Sequence, residues 1–206
     1  MGLFGTVGGT IFRPGRTFKA ISSRPRPLAA GIKAVLAAGF LYTLTAAGLA
    51  VSGALVTAPA FLRLVPENYY FWEMIFALPV FVLAWLLAGL AGGLASAGAP
   101  SGSLKGLLSA LGPALAVPTL LVWIPQSALA VLLLLGRKQE EVMEWTARPG
   151  IVQTAALACL IAACAWMFFL AAATARQVRG LGPLRSAAAG LASTLVFLGV
   201  LAVCIR

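Results

Sequence analysis

The chain has no histidine, three cysteines and five acidic residues among 206. Without histidine it lacks the commonest general base and metal ligand. Cysteine does not fill the gap: Cys159 and Cys164 are five residues apart, about 140° around a helix, and Cys204 is remote. No Cys-x-x-Cys occurs, so all three read as small hydrophobes rather than metal or redox ligands. The acidic residues Glu67, Glu73, Glu140, Glu141 and Glu144 fall outside the long apolar runs, which leaves no ionisable relay within them. The expectation is a protein that is not an enzyme and uses neither cofactor nor metal.

Charge of any kind is scarce, at 10% of residues against 61% hydrophobic. A soluble domain of this composition could not cover its surface with polar side chains, so the chain reads as a membrane protein. The net charge of +10 is spread singly or in small groups between apolar runs. That is the pattern of topology determinants and anionic-lipid contacts, not of a solvated patch for nucleic acid.

Charges mark where the spans lie, because a hydrocarbon core of about 30 Å needs roughly 20 apolar residues of helix. Charge-free gaps at 34–62, 74–104, 106–136, 149–175 and 186–205 each allow one crossing. The expectation is an all-α, polytopic integral membrane protein: an N-terminal segment, 1–31, then five transmembrane helices near 32–54, 73–97, 107–135, 151–175 and 184–205. With the N-terminus inside, ten Lys and Arg fall on the inner side and five on the outer. This bias favours a cytoplasmic N-terminus and an external C-terminus. Tyr69, Tyr70, Trp72 and Trp145 then read as belt aromatics at the outer interface.

Ahead of the first span, "FRPGRTFKAISSRPRP" packs bases and prolines together. Proline suits a first helical turn, where its missing N–H has no partner to lose. At 100° per residue Pro14, Thr17, Phe18 and Ile21 share one face, and Arg16, Lys19 and Ser23 the other. The expectation is an amphipathic helix lying on the membrane, its apolar face at the headgroup boundary and its bases on anionic lipid. Pro25 and Pro27 stop it and turn the chain into the first span. A secretory signal peptide is not expected, because the bases follow the apolar region rather than precede it.

The same stretch carries a family resemblance. "RPGRTFKAI" resembles the "P-x-x-T-F-x-x-I" motif that leads into the membrane domain of the Yip (Ypt-interacting protein) family, whose members have five predicted spans. The proline-rich "SALGPALAVPTLLVWIP" and the connection "ARQVRGLGPLRSAAAGL" fall where that family has comparable features. The short N-terminal segment is similar to that of the bacterial members and implies a bacterial inner membrane. Eukaryotic relatives are linked to Rab-type GTPases and vesicle traffic, which supplies a third functional reading.

Within the spans, Pro113, Pro118 and Pro125 interrupt the third, and Gln126 follows the last of them. Each proline frees a helical carbonyl, so Pro118, Pro125 and Gln126 are candidates to line a solute cavity, although kinked packing is the simpler explanation. Small residues four apart, Gly48 with Ser52, Gly89 with Gly93, and Gly190 with Thr194, let helices approach closely, within the bundle or against a partner. Trp85, Trp123 and Trp166 lie too deep for a belt and must pack on protein or lipid. "RKQEEVMEW" in the outer loop predicts a short helix, with Arg137 and Glu141 spaced as a pair.

Together these features predict an accessory or organising subunit that packs against other membrane protein subunits, a second copy of itself, or membrane lipids. The alternative is a transporter of small solutes or lipid that uses the kinked third span.

Overall fold

The computed structural model describes residues 2–55, 68–147 and 150–205. Among them every long element is an α-helix: α1 (Leu3–Phe12), α2 (Pro14–Ser22), α3 (Leu28–Val51), α4 (Tyr69–Ala95), α5 (Leu104–Leu134), α6 (Gln139–Ala147), α7 (Ile151–Arg179) and α8 (Pro183–Cys204). Five of these, α3, α4, α5, α7 and α8, are long and apolar enough to cross a membrane. The protein is therefore an all-α, multi-pass membrane protein. Arg63, Arg148 and Arg206, three of the five outer bases, lie outside the described residues, as do Glu67 and the side chain of Trp145.

Helix ends follow local chemistry. Pro14 and Pro183 occupy first-turn positions of α2 and α8, where no N–H is needed. Ser103 caps α5 by accepting from the Gly106 N–H at 3.1 Å. Gly180 ends α7 in the left-handed region, φ 65°, which a residue with a Cβ rarely adopts. The first span starts at Leu28, four residues ahead of the expected 32, because Pro27 serves as its N-cap.

The five long helices close into a ring in the order α3, α4, α8, α7, α5, with α4 and α5 also touching across it. The centre is filled by Phe81, Phe197, Met167, Leu111 and Leu115, each almost wholly buried, with alanines between them. Without a hydrophobic drive between helices in lipid, such a ring depends on close packing and interhelical hydrogen bonds. Close packing is most evident where α3 meets α5. A Cβ on Gly112 would lie 2.6 Å from the Gly31 carbonyl oxygen, and one on Gly31 would meet the Ser109 carbonyl oxygen at 3.0 Å. Ser109 is the residue whose helical N–H partner would be Pro113, so Gly31 covers the carbonyl that the proline leaves free.

Two tryptophans supply the hydrogen bonds. Trp85 on α4 donates through Nε1 to the Leu108 carbonyl on α5 at 2.9 Å. Trp123 on α5 donates to Thr45 Oγ1 at 2.8 Å and to the Leu41 carbonyl at 3.2 Å, both on α3. These rings tie the bundle together internally, and Trp166 is half-buried against the same core.

Candidate functional site

One end of the bundle gathers the bases. The N-terminal ends of α3, α5 and α8, the C-terminal ends of α4 and α7, and both short N-terminal helices meet there. Arg13, Arg16, Lys19, Arg24, Arg26, Lys33, Lys105, Arg176, Arg179 and Arg185 lie at or near this end. The opposite end carries the four described carboxylates, Glu73, Glu140, Glu141 and Glu144. There Gln139 clamps Leu55, accepting from its N–H at 2.8 Å and donating to its carbonyl at 2.5 Å.

At the basic end α2 takes the helical form expected from Pro14 onward, but its surroundings differ from expectation. Its apolar face is covered by protein: α2 packs on α5 and α7, and Phe18 and Ile21 have no exposed surface. The headgroup boundary assigned to those residues is thus replaced by helices, with Gly15 fitting against Gln177 and Gly106 against Ser22. Arg16 and Lys19 remain exposed on the other face, and Pro14 is half-buried. Periodicity identified which face is apolar; it carried no signal for what covers it.

The helix that precedes α2 was not anticipated. Residues 3–12 form α1, an apolar helix without charge that rests on α2, α3 and α5 and leaves Phe4 and Phe12 exposed. Thr6 and Thr10, both buried, satisfy their hydroxyls within the helix by donating to the carbonyls of Gly2 and Thr6. Its glycines lower helix propensity, which hides it in the sequence.

A second tie at this end joins the connection between α4 and α5 to the end of α7. Arg179 donates to the Gly102 carbonyl at 2.8 Å and to that of Ser96, the C-cap of α4, at 3.2 Å. Gly102, at φ 74°, lies against the Val178 carbonyl, and Gly180 against Ser101 Oγ, so the two glycines permit the loop and the helix end to meet.

The small-residue positions named above all face neighbours within the chain or open space. A Cβ on Gly89 would strike Leu108 and one on Gly93 would strike Leu104, both from α5. Gly190 sits against the backbone of Ala172 on α7, where a Cβ would lie 2.5 Å from the nitrogen. Thr194 is buried on the same helix. Gly48 makes ordinary contact with Ala130 and Leu134, and Ser52 turns back to the Leu49 carbonyl at 2.9 Å.

The third span is not broken. α5 runs without interruption from Leu104 to Leu134, with Pro118 buried, Gln126 half-buried and Pro125 exposed. None of these three lines the cavities at the basic end or the cleft beside Gln139 at the other. Two further positions depart from expectation. Glu73, placed at the edge of its span by its charge, is buried in the second turn of α4. Arg137 precedes α6 instead of lying on it, which removes the helical spacing to Glu141. Among the belt aromatics Trp72 is partly exposed and stacks on Phe76, while Tyr69 is buried.

Two neighbouring hollows flank α1. One, of about 80 Å³, is lined by Arg24, Arg26 and Lys33 together with Gly2, Leu3 and Thr6. The other, of about 200 Å³, is an apolar groove between α1, α3 and α5, walled by Leu3, Val7, Ala37, Leu41 and Val117. Leu3 lines both. Comparison with protein families, curated proteins and solved structures finds no match for the chain.

Proposed function

We propose that this protein is a non-enzymatic subunit of a bacterial inner membrane, N-terminus in the cytoplasm and C-terminus outside, that packs against another membrane protein and organises it. The lead-in motif "RPGRTFKAI" supports a place among the short bacterial members of the Yip family. The observation that carries the reading is the state of α7. α3 and α4 keep a buried face along their whole length, whereas α7 has no buried position from Gln153 to Ala162. Nearly three turns of a spanning helix, rich in Thr154, Ala155, Ala158 and Cys159, are left largely uncovered by the described residues, with only Cys159 partly buried. Small residues are what lets a second helix approach closely, and a spanning helix of a partner protein fits this face.

The test is a photo-crosslinking residue placed at Ala158 in native membranes, with Leu195, an exposed position midway along α8, as control. A discrete adduct to one other membrane protein from Ala158 alone is the expected result. An adduct of twice the chain's own mass would show self-association instead. Lipid adducts alone from both positions, together with solute movement by the purified monomer in liposomes, would overturn the proposal in favour of a transporter.

A further inference from the structure

We propose that the paired hollows beside α1 form a binding site for one anionic phospholipid, with its phosphate on Arg24, Arg26 and Lys33 and one acyl chain in the groove between α1, α3 and α5.

Charge and shape support each other here. Arg24 and Arg26 come from the turn between α2 and α3, and Lys33 from the second turn of α3. Among the described residues their side chains have no ion-pair or hydrogen-bond partner, and all four described carboxylates are at the other end of the bundle. Three unneutralised cations around one small hollow call for an anion. The hollow is too small for more than a phosphate-sized group. Leu3 lines both it and the apolar groove, and the groove follows α3 from Ala34 to Leu41, beginning one residue past Lys33. From Lys33 to Leu41 the helix rises roughly 12 Å at 1.5 Å per residue, so the groove leads from the bases toward the middle of the span. Its walls are mostly alanine on the α3 side, and every lining residue is apolar, as an acyl chain requires. A free phosphate would use the bases and leave the groove empty; a peptide would bring polar backbone groups into a trough that offers them no partner. An anionic diacyl lipid uses both halves. The site lies where membrane-length helices end, at the level of lipid headgroups.

This inference is independent of any protein partner on α7. The test is native mass spectrometry of the full chain in detergent, titrated with phosphatidylglycerol or phosphatidylcholine of matched chains. The wild type is expected to retain one phosphatidylglycerol at least about tenfold more tightly than phosphatidylcholine. The triple variant Arg24→Gln, Arg26→Gln, Lys33→Gln loses that preference, and Ala37→Phe, which fills the groove and keeps every charge, loses retention of both lipids. Arg16→Gln with Lys19→Gln, on the exposed face of α2, changes neither. Equal affinity of the wild type for the two lipids would overturn the proposal without recourse to any variant. So would competition by glycerol phosphate that matches the lipid, with Ala37→Phe silent, because the site would then bind an anion alone.

Discussion

Replacing Phe18 by alanine separates a helix docked on protein from one floating at the membrane surface. Phe18 has no exposed surface and lies in the same buried cluster as Leu107, Leu111 and Val178. In water the change would cost about 3–5 kcal/mol. In detergent or lipid an undocked phenyl ring is solvated by apolar chains, so the transfer part of that cost falls away and the cavity part remains. At about 24 cal/mol per Å³ over a residual cavity of roughly 100 Å³, it amounts to about 2.4 kcal/mol. The docked fraction of α2 then falls by roughly fifty-fold relative to the undocked. Arg16 and Lys19 are exposed on α2 but held in helix, and trypsin needs a locally opened chain. The assay is therefore the rate of tryptic cleavage at those two residues in the purified protein, under conditions where opening is faster than cutting. Phe18→Ala is expected to raise that rate roughly fifty-fold, with the rest of the bundle intact by size-exclusion chromatography. Cleavage at the wild-type rate would show that lipid or detergent, not α5 and α7, covers the apolar face of α2.

The close approaches predict a sharp contrast among glycines. Gly112→Ala and Gly190→Ala drive a methyl into the backbone of Gly31 or Ala172 and should cost upward of about 2 kcal/mol each in unfolding titrations, whereas Gly8→Ala and Gly199→Ala, which meet nothing, should be neutral or gain up to about 1 kcal/mol. Trp123→Phe removes the donor to Thr45 and should cost about 1 kcal/mol, and adding Thr45→Val should cost little more, since the pair shares one bond. Arg179→Ala should raise amide exchange in residues 97–103 at least about tenfold and leave α3 unchanged, by hydrogen-exchange mass spectrometry.

Charge spacing made the five spans legible, because an unbroken apolar run of sufficient length has few alternatives to a membrane helix. The ends shifted by a few residues where a cap such as Pro27 or Ser103 decided them. The Gly31–Gly112 crossing was not legible. Its members stand far apart in the chain, Gly31 has no small residue four positions away, and the pair of Gly112 with Ala116 is lost among the many small pairs of an alanine-rich chain. The same limit explains α2: its periodicity gives the apolar side of Phe18 and Ile21, while the identity of the covering surface depends on α7, which is distant in sequence. Pro113, Pro118 and Pro125 suggested a broken helix because each removes a hydrogen bond, yet α5 stays continuous, with Gly31 lying over one of the freed carbonyls. The basic hollow escaped notice because α1, which forms one wall of it, has a glycine-rich sequence with no charged face.

The ring order bears on how the protein is made. α4 is inserted early, but the face that carries Phe81 and Gly92 is covered by α8, which follows every other helix in the chain. During synthesis that face meets lipid until Phe197 and Ser193 arrive, so the half-built bundle is the state most open to membrane proteases and insertion chaperones. A substitution in α8 that slows its insertion would lower yield by degradation of the nascent chain, even where the finished protein is fully stable.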